Sequence, residues 1–282
     1  MKFHLSYLII LLLLFNISCS KEKEKISIVE EKSLEMQMIK AYNDGLEELD
    51  KGDVIYAARK FNEAELLYPQ SIWAPRASLM AAYAYFSHVY YNDAIIELEK
   101  FLDKYKNHPN RDYAYYLLAL SHYDLIVDET KDLNEILNAK KYFEIIIKKF
   151  PNTEFALDSE YKIELIQELL ASKEMYLARY YVEREKWIPA INRYKNIIQN
   201  FETTIYVEEA LHRLVEIHYK IGLVEEAKKY ASLLGYNYQS SEWYEQSYKV
   251  FNRDYKKISK RKKQKNKKTI LEKIKSLLKN EK

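Results

Sequence analysis

The chain has 282 residues, 48% hydrophobic and 31% charged, with only 4 glycines and 5 prolines but 27 tyrosines. So few backbone breakers exclude a glycine-loop α/β architecture and a many-turned all-β one. The net charge of +3 hides an asymmetry: from Phe251 onward fourteen Lys or Arg oppose only Asp254, Glu272 and Glu281, so the rest of the chain is acidic.

The first element is an export signal. Met1-Lys2 opens a short basic region, and Leu5 to Phe15 is a largely apolar run of 11 residues. A membrane span needs about 20, so this pattern predicts a cleaved signal. It ends Asn16-Ile17-Ser18-Cys19-Ser20, and Cys19 is the sole cysteine. A lone cysteine there resembles a bacterial lipoprotein box, in which the cysteine carries the lipid. The plainer alternative is an ordinary signal followed by a stray cysteine. A multi-chain anchor at Cys19 would hold the protein firmly to a membrane face. With one cysteine no internal disulfide is possible. The expected layout is a signal over 1–18, a lipid-anchored linker over 19–33, a repeat domain over 34–250 and a basic tail over 251–282.

The repeat domain is read from its second helices. A tetratricopeptide unit of about 34 residues sets a small residue, a large apolar one and a further apolar one at fixed offsets, with proline beyond. Ala57, Phe61, Ala64 and Pro69 match, as do Ala94, Leu98 and Phe101, with Lys106 in the proline place. Ala139, Phe143, Ile146 and Pro151 form a third set. Ala190, Tyr194 and Ile197, then Glu202, form a fourth, and Ala227, Ala231 and Leu234 a fifth. The leading alanines lie 37, 45, 51 and 37 residues apart. An insertion around Val127 to Asn138 explains the second interval, and longer helices from Ser159 to Arg184 the third. Gly52 and Gly222 fall between the helices of a pair, where positive φ ends a helix. Ala77, Ala81, Ala82, Ala84 and Ala94 mark a close helix crossing, with Tyr83, Tyr85, Phe86 and Phe101 filling the space beside it. The predicted fold is all-α, a right-handed superhelical solenoid of about five tetratricopeptide-like pairs.

The tail carries a lysine-rich run to Lys268, then Thr269 as a possible N-cap. Ile270, Ile274, Leu277 and Leu278 follow at helical spacing among Lys273, Lys275 and Lys279. Two readings stand: a basic amphipathic helix for an anionic membrane or acidic partner, or a solvated extension. Nucleic acid is not an expected partner of an exported chain.

Catalytic chemistry has no foothold. The chain lacks a phosphate loop, a His-Glu-x-x-His pair and a Cys-x-x-Cys pair. Its six histidines are scattered, and His212 and His218 lie about 120° apart on a helix. Carboxylates such as Glu97, Glu99 and Asp103 read as solvated faces. No enzyme activity, metal or cofactor is expected.

Several words of the sequence resemble the BamD family of outer-membrane assembly lipoproteins. They are Tyr68-Pro69…Ser71 with Leu79 to Tyr85, His108 to Tyr116, Phe150 to Asp158, and Glu174…Ala178-Arg179-Tyr180-Tyr181…Arg184…Trp187…Asn192-Arg193, spread from Ala41 to Tyr238. The long basic tail and Lys106 depart from the family. The resemblance implies a periplasm-facing lipoprotein of the outer membrane that docks onto a BamA-like barrel protein beside other assembly lipoproteins. It also implies that unfolded β-barrel substrates are recognised and helped to insert. Tyr180, Arg184 and Arg193 would meet the barrel protein, with Arg193 facing an acidic group. Alternatively, Arg193 pairs internally with Glu183 or Glu185. Tyr68, Tyr83 and Tyr85 would line a substrate groove. A second function fits the same features: an envelope repeat lipoprotein coordinating cell-wall synthesis or division.

Overall fold

The computed structural model describes residues 33–128 and 132–251. The export signal, Cys19, the linker up to residue 32 and the tail from residue 252 lie outside the described residues. Eleven helices and no strands occupy those described: α1 (Leu34–Asp50), α2 (Val54–Leu67), α3 (Ala74–Ser87), α4 (Tyr91–Lys104), α5 (Arg111–Asp124), α6 (Asn134–Lys149), α7 (Glu154–Glu183), α8 (Trp187–Asn200), α9 (Tyr206–Lys220), α10 (Val224–Asn237) and α11 (Glu242–Phe251). Each helix packs on the next, giving five pairs and a final helix. Among the first helices of the pairs, α3 touches α5, α5 touches α7 and α7 touches α9. That closer spacing makes the first-helix side the inner side of the array.

The predicted anchors are the core. All three anchors in each of the first four repeats, from Ala57 to Ile197, have 0% exposure. In the fifth, Ala227 and Leu234 are equally buried but Ala231 is only half-buried. The crossing alanines Ala77, Ala81, Ala82, Ala84 and Ala94 are also fully buried. Phe101 fills space beside them, and Tyr85 and Phe86 pack in from the edge. Tyr83 does not: it sits on an outward position of α3 and is exposed.

Four of the five turns within pairs share one geometry. Gly52 (φ 83°) and Gly222 (φ 88°) are left-handed, and so are Val89 (φ 69°) and Glu185 (φ 56°) at the equivalent places. In each, the following amide reaches back to close the preceding helix: Asp53 to Glu48, Tyr90 to Tyr85, Lys186 to Tyr181 and Leu223 to His218, at 2.8–3.0 Å. This is the Schellman closure that favours glycine.

Two intervals deviate from the regular repeat, and the structure gives each a cause. The insertion is shorter than expected, because α6 already starts at Asn134. The longer helices are one 30-residue helix, α7, capped by the Thr153 hydroxyl accepting from the Ala156 amide. Its first half, through Ala156 and Ile166, joins Phe143 and Ile146 in one core. Its second half, through Met175 and Ala178, joins Ile191 and Tyr194 in the next.

Among the carboxylates read as solvated, Asp103 is exposed but Glu97 is not. Glu97 accepts from Asn62 Nδ2 at 2.9 Å and pairs with Lys100 at 3.2 Å. Helix α2 lies against the structure beside α4, so a residue that looks surface-facing on one helix is covered by another.

Candidate docking surfaces

The first surface is built where α7 meets α8. The amphipathic α8 buries Ala190, Ile191, Tyr194 and Ile197 and turns Asn192, Arg193 and Asn196 toward α7. There they line a polar cavity of about 460 Å³ together with Glu174, Tyr181 and Ile188. Arg193 Nη1 donates to both Glu174 oxygens, at 2.9 and 3.2 Å. Its side chain remains 39% exposed, whereas Glu174 is 14% exposed. Neither expected internal partner is used: Glu183 lies 4.0 Å from Arg184, and Glu185 lies 3.9 Å from Lys220. Glu174 projects from the side of α7 that faces α8.

Tyr180 and Arg184 are close to each other but outside that cavity. The Arg184 guanidinium lies over the Tyr180 ring at 3.6 Å, and its Nη1 donates to the Tyr180 carbonyl at 3.3 Å. Tyr180 also meets Tyr181 edge-on at 5.7 Å. Tyr181 lines the Arg193 cavity and so connects the two groups.

The second surface lies at the first repeats. Tyr42 and Trp73 meet edge-on at 5.7 Å, and Arg76 lies over Trp73 at 5.1 Å. With Met38, Leu46 and Met80 they line a largely apolar groove of about 490 Å³ between α1 and α3. The expected trio is not gathered here. Tyr68 caps the end of α2, Tyr83 is exposed on α3, and Tyr85 is packed between the first two cores. Burial, with Asp93 and Glu97 nearby, raises the Tyr85 phenol above its ordinary range. Farther along the inner side, Tyr116 stacks on Phe155 at 4.9 Å and donates to Asp158 Oδ2 at 2.8 Å. The Tyr42–Trp73 groove was missed because Met38, Tyr42 and Met80 follow the helical period of a core. The signal was their company: a tryptophan and an arginine at the very start of α3.

Histidines serve packing. His122, His212 and His218 are buried, and among the described residues no group of three metal-ligating side chains exists. No helix among them is long and apolar enough to cross a membrane.

A family profile described as "YfiO: Outer membrane lipoprotein" matches residues 34–234. The outer membrane protein assembly factor BamD of Rickettsia prowazekii is 42% identical over 209 residues, covering 74% of this chain and 83% of that protein. BamD of Caulobacter vibrioides is 35% identical over 232 residues, covering 82% of this chain and 75% of that protein. BamD of Neisseria gonorrhoeae is 31% identical over 191 residues, covering 64% and 71%. The profile match runs from the start of α1 into α10, and the chain belongs to the YfiO outer membrane lipoprotein family, alongside the BamD assembly factors.

Proposed function

We propose that this chain is a non-catalytic scaffold for assembling proteins of the outer membrane, held at the periplasmic face by lipid on Cys19. The observation that carries this reading is its 42% identity, over most of its length, to an outer membrane protein assembly factor. The architecture supports it: a repeat array offers a long continuous surface for partners. In this reading the Arg193 cavity, with Tyr180 and Arg184 beside it, docks a BamA-like barrel protein. An arginine that already shares one carboxylate, yet keeps part of its fork in solvent, can accept a second acidic group from outside. The surface of the first repeats, through the Tyr42–Trp73 groove and the exposed Tyr68 and Tyr83, receives unfolded barrel substrates. Tyrosine and tryptophan grip an apolar chain while keeping a polar tip in water.

The test is purification of the tagged chain from its own membranes in mild detergent. A β-barrel assembly protein should accompany it. Recovery of wall-synthesis or division proteins in its place would overturn the reading in favour of the second function.

A further inference from the structure

The fifth repeat differs from the others at its second anchor. Phe61, Leu98, Phe143 and Tyr194 are large and fully buried there, whereas Ala231 is small and half-buried. The helix that follows is also displaced. Of the two helices preceding it, each earlier first helix packs more on the second helix than on the first, but α11 packs more on α9 than on α10. Buried Ser247 ties α11 to α9 through a 2.9 Å bond with His212 Nδ1. Against α10, the Tyr244 ring rests on Gly235, where a Cβ would come within 2.7 Å. Between α10 and α11 this leaves a groove of about 540 Å³, lined by Ala231, Gly235, Tyr236, Tyr244 and Phe251 among others. Tyr236 is 84% exposed. A terminal repeat needs a polar outer face or a capping element, and this one presents an apolar slot.

We propose that the slot is filled by the chain's own segment 270–278, through Ile270, Ile274, Leu277 and Leu278. The described residues end at Phe251, itself on the groove, and eighteen residues separate it from Ile270. That connection spans at most about 60 Å when extended, ample for the segment to fold back. The spacing of the four apolar residues would put them on one face of a helix, and the small Ala231 opposite leaves room for one at close range. On a helix Lys273 and Lys275 would flank that face, which suits the exposed carboxylates of Glu225 and Glu242 on the two bordering helices. Because the contact is intramolecular, its effective concentration is on the order of millimolar, so a modest contact suffices. This goes beyond the scaffold reading and does not depend on it.

Amide hydrogen exchange on the full-length chain in detergent tests the proposal. Amides of 270–278 should exchange about tenfold or more slowly in the parent than in Ala231→Arg, which blocks the slot. They should stay protected on tenfold dilution. Because Ala231→Arg can disturb α10, the pair Ile274→Asp with Leu277→Asp, which leaves the body untouched, should expose amides 232–236 equally. Fast exchange of 270–278 in the parent overturns the proposal. So does protection indifferent to Ala231→Arg, which puts the segment elsewhere, or protection lost on dilution, which makes a second copy the occupant.

Discussion

Arg193 reaches across from α8 to hold Glu174 on α7, with one guanidinium nitrogen 2.9 and 3.2 Å from the two carboxylate oxygens. The same side chain that resemblance assigns to a partner thus already has a structural duty, and the two can be separated by choosing which end of the pair to change. Glu174→Gln removes the internal pair and keeps the arginine. It should cost about 1 kcal/mol of stability and leave co-purification of the barrel protein intact. Arg193→Gln should cost a similar amount and also lose the partner. Equal retention of the partner by both variants would show that docking does not use Arg193.

Ala82 is fully buried at the crossing of the second repeat. Ala82→Leu should overpack it and cost roughly 1–3 kcal/mol, seen as a lower melting temperature. Asp103→Asn, on an 87% exposed side chain, is the control that should leave melting unchanged. Glu97 is unsuitable as a control because its carboxylate is engaged by Asn62 and Lys100.

Val89 occupies a left-handed position that glycine fills in the first and last turns. A β-branched residue there costs about 1–2 kcal/mol, partly offset by the greater unfolded-state freedom of glycine. Val89 is 68% exposed, so its removal forfeits little packing. Val89→Gly should therefore raise stability slightly, by up to about 1 kcal/mol. Gly222→Val should lower it by about 1–2 kcal/mol. A melting scan of the two variants checks both signs.

Two carboxylates set the acid limit. The hydrogen bond to His212, reinforced by Arg213, outweighs burial and holds Glu216 at about 2. For fully buried Glu65, burial opposes the charged form, but bonds from Lys104, Tyr105 and Lys100 prevail and keep it below the ordinary carboxylate range. Both pKa values are depressed on folding. Their stabilisation is therefore present above the unfolded value near 4.5 and is lost as pH falls from there toward about 2. Denaturant midpoints should fall across that window. Glu65→Gln should cost about 1–3 kcal/mol at neutral pH and flatten part of the acid slope.

Cys19→Ala should release the chain from membranes, and the parent should take up labelled palmitate at that residue. Unchanged membrane retention together with an unlabelled parent removes the anchor from the proposed function.

The helix pairs, their anchors and their glycine turns were readable from sequence because they are local. An alanine, a large apolar residue and another apolar one at fixed offsets lie on one face of one helix, and that face must be buried whatever lies opposite. What lies opposite is not local. Glu65 is buried among Lys100, Lys104 and Tyr105, and Glu97 is covered by Asn62, only because α2 and α4 come together from 35–40 residues apart. Tyr83 and Tyr85 look alike in sequence, yet one faces water and the other packs between two cores, since they lie about 200° apart around α3. Arg193 finds Glu174 in place of Glu183 or Glu185 because the crossing of α7 and α8 selects which carboxylate points inward. Sequence determined a solenoid of helix pairs and its family. Tertiary packing alone decided which charges are buried, which aromatic residues form the groove, and that the last pair is left with an open slot.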